Sequence, residues 1–258
     1  MNLKRRRAQA EPTPATAART DGTPPALLVA EGVRKVYRTG EIEVEALSGL
    51  DLTVRQGELV AVMGPSGSGK TTLLNCLSGL DGIDAGRVLL NGRDLFAMSD
   101  AARTSHRATS MGFVFQAFNL IPVFTAAENV ELPLLLGGIG ARQARRRAVE
   151  MLERVGLGHR TGHRPNELSG GEQQRVTVAR ALASSPAIVW ADEPTGNLDT
   201  ATADQVVELL HELNRRDGQT IVLVTHDLAI GASAGRLIRM RDGRLVGDEL
   251  RQPAWAVR

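Results

Sequence analysis

The stretch Leu59–Leu77, LVAVMGPSGSGKTTLLNCL, decides how this chain is read. Five apolar residues, Leu59–Met63, run into a glycine-rich turn, and the turn runs into an apolar helical segment. Gly64–Thr71 match the phosphate-binding loop G-x-x-x-x-G-K-[ST] at every fixed position, in the strand–loop–helix setting that motif requires. In such a loop the glycines let backbone N–H groups wrap the β- and γ-phosphates of a nucleotide. Lys70 adds a point charge to the same oxygens, and Thr71 offers a hydroxyl to Mg²⁺. A glycine-rich turn beside a surface lysine would not need all these positions at once. Gly64, Pro65, Ser66, Gly67, Ser68, Gly69, Lys70, Thr71 and Thr72 are therefore the candidate nucleotide-binding residues.

Two further apolar runs lie downstream, AIVWAD (Ala187–Asp192) and IVLVTH (Ile221–His226). Neither alternates with polar residues, which fits strands of a parallel sheet buried on both faces. Between them Val206, Leu209, Leu210 and Leu213 share one helical face, so the three segments read as a strand–helix–strand unit. Asp192 ends the first run, where ligands gather in open α/β sheets, and it would reach the metal directly or through water. Glu193 beside it is the candidate general base for an attacking water. His226 closes the other run in the same topological position and could hold the γ-phosphate and the water. Gln116, in FVFQAFNL, could ligate magnesium or water through its amide oxygen; on the residues alone this is an even choice. Tyr37, the single tyrosine, either stacks on a base or is a half-buried strand residue.

A second glycine cluster occurs in ELSGGEQQR, Glu167–Arg175. Ser169 and Glu172 make a capping box at the start of a helix. Gly170 and Gly171 would then occupy the first helical positions, where each costs up to about 1 kcal/mol relative to alanine. Capping does not need them. Bare glycines suit close approach of an anion, above all a phosphate, to the helix N-terminus.

Composition bounds the remainder. With 258 residues, 42% hydrophobic and 23% charged, the chain reads as an ordinary soluble globular protein with room for a core and a subdomain. A net charge of +2 gives no polybasic character that would point to nucleic acid. The arginine runs at 5–7 and 145–147 read as a solvated tail and a solvated helix face. The single cysteine, Cys76, suits a reducing compartment and reads as a helix core residue. No apolar run is long enough to span a membrane; LPLLLGGIG at Leu132–Gly140 is broken by Pro133 and glycines. KRRR near the N-terminus has no apolar region behind it, so it is not a secretory signal. Residues 1–26 read as a disordered Pro/Ala/Thr-rich extension. Short strands are expected from Leu27 to about Val62, with EIEVEAL as a hairpin arm. The segment from about Ala126 to Val155 has only helical periodicity (Ala144, Ala148, Leu152, Val155) and reads as a helical insertion.

Taken in order, GPSGSGKT, Gln116, LSGGEQQR, IVWADEP, GNLD and His226 resemble the nucleotide-binding subunit of an ABC transporter, over residues of about 27 to 247. GFVFQAFNLIPVFTAAENVELPL (Gly112–Leu134) is further similar to the macrolide-export and lipoprotein-release branch of that family. The resemblance implies an α/β fold: a P-loop NTPase (RecA-like) core with a parallel sheet, an N-terminal antiparallel β subdomain and an inserted helical subdomain at about 117–175. A tail would follow at 248–258. It implies ATP and Mg²⁺ as ligands, with Tyr37 stacking on adenine, Gln116 sensing a permease, Asp199 in the GNLD loop and His226 as a switch. It implies that Leu168, Ser169, Gly170, Gly171 and Glu172 cap the γ-phosphate of ATP held by a second subunit, in a head-to-tail dimer. The family more often has glutamine where this chain has Glu172, so a nucleotide contact from that side chain is not carried over. Implied too are a separately encoded membrane permease and a place on the cytoplasmic face of the membrane. An ATP-gated scaffold for an envelope protein, or an ABC-type ATPase unconnected with transport, are the alternatives.

Overall fold

The computed structural model describes residues 24–251. The expected N-terminal extension therefore lies outside the described residues except for its last three, and the C-terminal tail lies outside except for 248–251. The described chain opens with β1 (Ala26–Thr39) and β2 (Ile42–Arg55), a single long antiparallel hairpin rather than the several short strands expected. Next come β3 (Leu59–Met63), α1 (Lys70–Leu77), β4 (Ala85–Leu90), the two-residue β5 (Arg93–Asp94), α2 (Asp100–Ser110) and β6 (Met111–Phe115). The helical segment holds α3 (Ala126–Leu136), α4 (Ala141–Arg154) and α5 (Gly170–Leu182). The chain ends with β7 (Ile188–Asp192), α6 (Thr200–Asp217), β8 (Thr220–Val224), α7 (Leu228–Ser233), β9 (Arg236–Arg241) and β10 (Arg244–Leu250).

Two sheets form. One is antiparallel in the order β2-β1-β4-β5; the other runs β10-β9-β3-β8-β7-β6, with every pairing parallel except β10 on β9. Alternate residues of β3 explain why its run is wholly apolar. Leu59, Ala61 and Met63 pack under the helical layer, whereas Val60 and Val62 face α1 and the antiparallel sheet. A strand with both faces buried has no place for a polar alternate. Cys76 sits in α1 on the second of these faces, fully buried, and burial pushes its thiol up to about 12. It packs and does not react.

The insertion is amphipathic, as its periodicity predicts. Ala144, Ala148, Met151 and Leu152 of α4 are buried, while Arg145 pairs with Glu131 and Arg147 with Glu150. β10 carries the core sheet past residue 247: Arg236 on β9 holds Asp248 by two bonds, of 2.8 and 2.7 Å. The first residues of the expected tail thus belong to the core sheet. Among the described residues no helix is long and apolar enough to cross a membrane.

Candidate functional site

Three of the parallel strands, β3, β7 and β8, deliver the predicted residues at their C-terminal ends. From β3 the chain enters the loop 64–69, and two of its glycines are fixed by neighbours as well as by any ligand. A Cβ on Gly64 would stand 2.2 Å from the Met240 carbonyl oxygen. Gly69 adopts a left-handed φ of 95° as the N-cap of α1, and a Cβ there would lie 2.5 Å from the Ala46 carbonyl oxygen. The loop is thus clamped between β2 and β9. Lys70 Nζ donates to the carbonyls of Gly64 (2.9 Å) and Pro65 (3.0 Å), across the base of the loop.

Thr71 Oγ1 donates to Asp192 Oδ1 at 3.3 Å. Burial holds the Asp192 carboxyl above the ordinary carboxylate range, the Glu193 charge adds to that, and Thr71 and Lys70 oppose it. A half-desolvated carboxylate facing a hydroxyl is a hard-oxygen donor set, which fits a magnesium ion that takes its other ligands from phosphate and water. Among the described residues no group of three or more His, Cys, Asp or Glu could hold a metal by itself.

Glu193 sits in the left-handed region, φ 46°, which costs a non-glycine residue about 1–2 kcal/mol. The turn is held where its N–H donates to the Val224 carbonyl (2.9 Å) and its own carbonyl accepts from Gly196 (3.0 Å). His226 Nδ1 lies 3.0 Å from Glu193 Oε2, with the imidazole largely exposed. Base candidate and histidine therefore meet although 33 residues apart.

One cleft of about 570 Å³ is lined by Tyr37, Ser66, Gly67, Gly69, Lys70, Thr71, Thr72 and Glu193. Tyr37 is 40% exposed there; its hydroxyl donates to Asp81 and Lys35 Nζ stands 4.9 Å from its ring centre. Gln116 does not line the cleft. Its amide nitrogen donates to Asn197 Oδ1 (3.2 Å), and Asn197 donates back to the Gln116 carbonyl. The sequence reading missed Val44, Glu45, Ala46, Asp242 and Gly243, which line the same cleft from β2 and the β9–β10 turn. No local motif marks them, because strand pairing brings them in.

The Leu168–Glu172 segment does not line this cleft either. Leu168 is buried and Ser169 exposed. The capping box is present: Ser169 Oγ accepts from the Glu172 N–H, and Glu172 Oε2 accepts from the Ser169 N–H. Glu172 Oε1 also pairs with Arg160 at 3.0 Å, and this carboxylate is held below its ordinary range chiefly by the Ser169 N–H. The two glycines differ in their surroundings. Gly171 is buried, and a Cβ on it would come within 2.2 Å of Thr202 Cγ2, so packing on α6 is by itself a reason for that glycine. Gly170 has room, its Cβ meeting Leu198 at 3.4 Å and Phe118 at 3.9 Å, both at ordinary contact distance. Asp199 caps α6: Oδ1 accepts from the Thr202 N–H and Oδ2 from the Thr202 hydroxyl.

Residues 47–196, which carry the loop, the capped glycine helix and the acidic strand end, match the ABC transporter family. The chain belongs to that family. Within the ABC transporter family it is 50% identical over 219 residues to an uncharacterized ABC transporter ATP-binding protein of Thermotoga maritima, covering 85% of this chain and 93% of that one. It is 49% identical over 222 residues to the lipoprotein-releasing system ATP-binding protein LolD of Geobacter metallireducens, covering 86% and 99%. The expected branch and the expected architecture are thus both borne out. Among solved structures, the dimeric ABC cassette MJ0796 in a post-hydrolysis state with ADP and Pi matches with a TM-score of 0.80 and 42% identity, over 87% of this chain and 99% of that one.

Proposed function

We propose that this chain is the ATP-binding subunit of an ABC transporter, hydrolysing ATP to power a separate membrane permease. The observation that carries the reading is the convergence of Lys70, Thr71, Asp192, Glu193 and His226 at the ends of β3, β7 and β8, around the mouth of one loop. The loop N–H groups and Lys70 bind the triphosphate, and Tyr37 at the cleft edge takes the adenine. Thr71 and Asp192 hold Mg²⁺, which when bound neutralises charge on the β- and γ-oxygens. Glu193 accepts the proton of the attacking water as the bond between the γ-phosphorus and its bridging oxygen breaks, leaving ADP and phosphate. His226, 3.0 Å away, steadies the glutamate and reaches the γ-phosphate. Gln116, on the loop after β6, would sense the permease, and its amide oxygen would serve as a further ligand for the metal.

Ser169, Gly170 and Gly171, within the Leu168–Glu172 segment, serve the nucleotide of a second copy. Support comes from their absence from their own chain's cleft and from the dimeric cassettes among the structural relatives. Asp199, at the start of α6, belongs to the same dimer face. The permease belongs to the lipoprotein-release or macrolide-export type, as the LolD likeness supports, and holds this subunit on the cytoplasmic face of the membrane. Glu193→Gln tests the core of this reading. It should lower turnover by about 10²–10⁴-fold with ATP binding intact, and ATP should then accumulate a dimer in gel filtration. Near-normal turnover removes Glu193 as the base, and comparing turnover with and without the permease tests the coupling.

A further inference from the structure

Glu193 holds an unfavourable backbone conformation, and a side chain from α5 braces the turn behind it. Gln174 lies in α5, one turn beyond Gly170 and Gly171, and is fully buried. A primary amide sealed in an apolar core has to satisfy both its ends. Its Oε1 accepts from the Thr177 hydroxyl at 3.2 Å. Its Nε2 donates to the Pro194 carbonyl at 2.5 Å and to the Phe115 carbonyl at 3.4 Å. Those carbonyls belong to the residue directly after Glu193 and the residue directly before Gln116. The same three segments are joined again nearby. Asn197 donates to the Gln116 carbonyl, and Arg180 of α5 donates to the carbonyls of Phe118 and Asn119.

We propose that Gln174 is the positioning residue for Glu193: through Pro194 it fixes the left-handed turn that aims the carboxylate at the reacting water. The Val224 and Gly196 bonds hold the turn from the sheet side. Gln174 holds it from the helix whose first residues face the other copy's nucleotide. Movement of α5 at one site therefore reaches the base of its own chain at the other. The proposal rests on Glu193 being the base, so Glu193→Gln is measured alongside.

Gln174→Met keeps the volume and removes both donors. In the full-length protein it should lower kcat by about 10–100-fold, the scale set by a misplaced catalytic group. ATP affinity and ATP-driven dimerisation should stay within about 2-fold, because the phosphate loop and the Leu168–Glu172 segment are untouched. In the Glu193→Gln background, Gln174→Met should cost less than about 2-fold more, since groups acting as one unit are not additive. A general structural defect would instead multiply in both backgrounds. That result, or wild-type kcat in Gln174→Met, overturns the proposal. Normal turnover in Glu193→Gln alone would remove the base assignment, a different failure. If Gln174→Met does not fold, Gln174→Glu decides. Facing two carbonyls, the buried acid stays protonated and donates at low pH, so kcat should fall relative to wild type as pH rises through its titration. A pH profile parallel to wild type overturns the proposal.

Discussion

Gly171→Ala should destabilise the protein through a single contact, and removing one methyl elsewhere should cure it. The added Cβ falls 2.2 Å from Thr202 Cγ2, well inside contact distance. Thr202 cannot simply turn away, because its hydroxyl donates to Asp199 Oδ2 at 2.6 Å while Asp199 caps α6. Relief requires breaking that bond or moving α6 off α5. Overpacking of this kind costs about 1–3 kcal/mol, and exchanging glycine for alanine in a helix returns up to about 1. The expected net loss is about 1–2 kcal/mol, or about 2–8 °C in Tm for a domain of this size. Thr202→Ser keeps the hydroxyl for Asp199 and deletes the methyl. In the double variant the loss should vanish and the helix propensity gain should show. Urea unfolding of the two single variants and the double variant measures this. Gly170→Ala, with its Cβ at 3.4 Å from Leu198, should leave stability unchanged or slightly raised. Additive effects of Gly171→Ala and Thr202→Ser would refute the packing account of Gly171.

Other outcomes follow from the cleft. Lys70→Ala should weaken ATP binding by at least about 10–100-fold, the worth of lost charge-assisted hydrogen bonds, as isothermal titration at fixed Mg²⁺ would report. Asp192 is held above its ordinary pKa of 3.8, chiefly by burial, so the folded chain binds its proton more tightly than the unfolded chain does. This group's contribution is therefore fully present below pH about 3.8 and is lost as pH rises through the folded value. Asp192→Asn should be more stable than wild type near neutral pH without nucleotide, with the difference closing at lower pH; no gain at neutral pH in thermal melts would contradict the burial argument.

The parts of the fold readable in the sequence are those written locally. The 64–71 loop, the runs 187–192 and 221–226 and the face Val206–Leu213 each carry their meaning within a few residues, and they fix the parallel core. Pairing between distant segments is not written that way. Met111–Phe115 is a short apolar run whose place at the sheet edge depends on β7, and Ala85–Leu90 joins the antiparallel sheet only because β1 is there to receive it. The site divides along the same line. Lys70, Asp192, Glu193 and His226 were legible because motif and strand end coincide. The positive φ of Glu193, the Ala46 and Met240 carbonyls that dictate Gly69 and Gly64, and the Thr202 methyl over Gly171 were not, since each is a meeting of distant backbone. Gln174 stands in the sequence among the polar residues Glu172, Gln173 and Arg175, and nothing in that spacing marks its donors as buried.

The central claim, that each ATP is held by the loop of one copy and the capped helix of another, is tested most directly by mixing two inactive variants. One carries Lys70→Ala. The other carries Gly170→Asp, placed at the glycine with room so that the new carboxylate repels phosphate without disturbing α6. In a mixed dimer one interface joins both lesions and the other joins an intact loop with an intact helix end. Equal mixing should recover about a quarter of wild-type turnover if pairing is random and the two symmetry-related sites are independent. Turnover at background, with mixed dimers demonstrably formed, would mean that each chain's helix serves its own nucleotide, and would contradict the account.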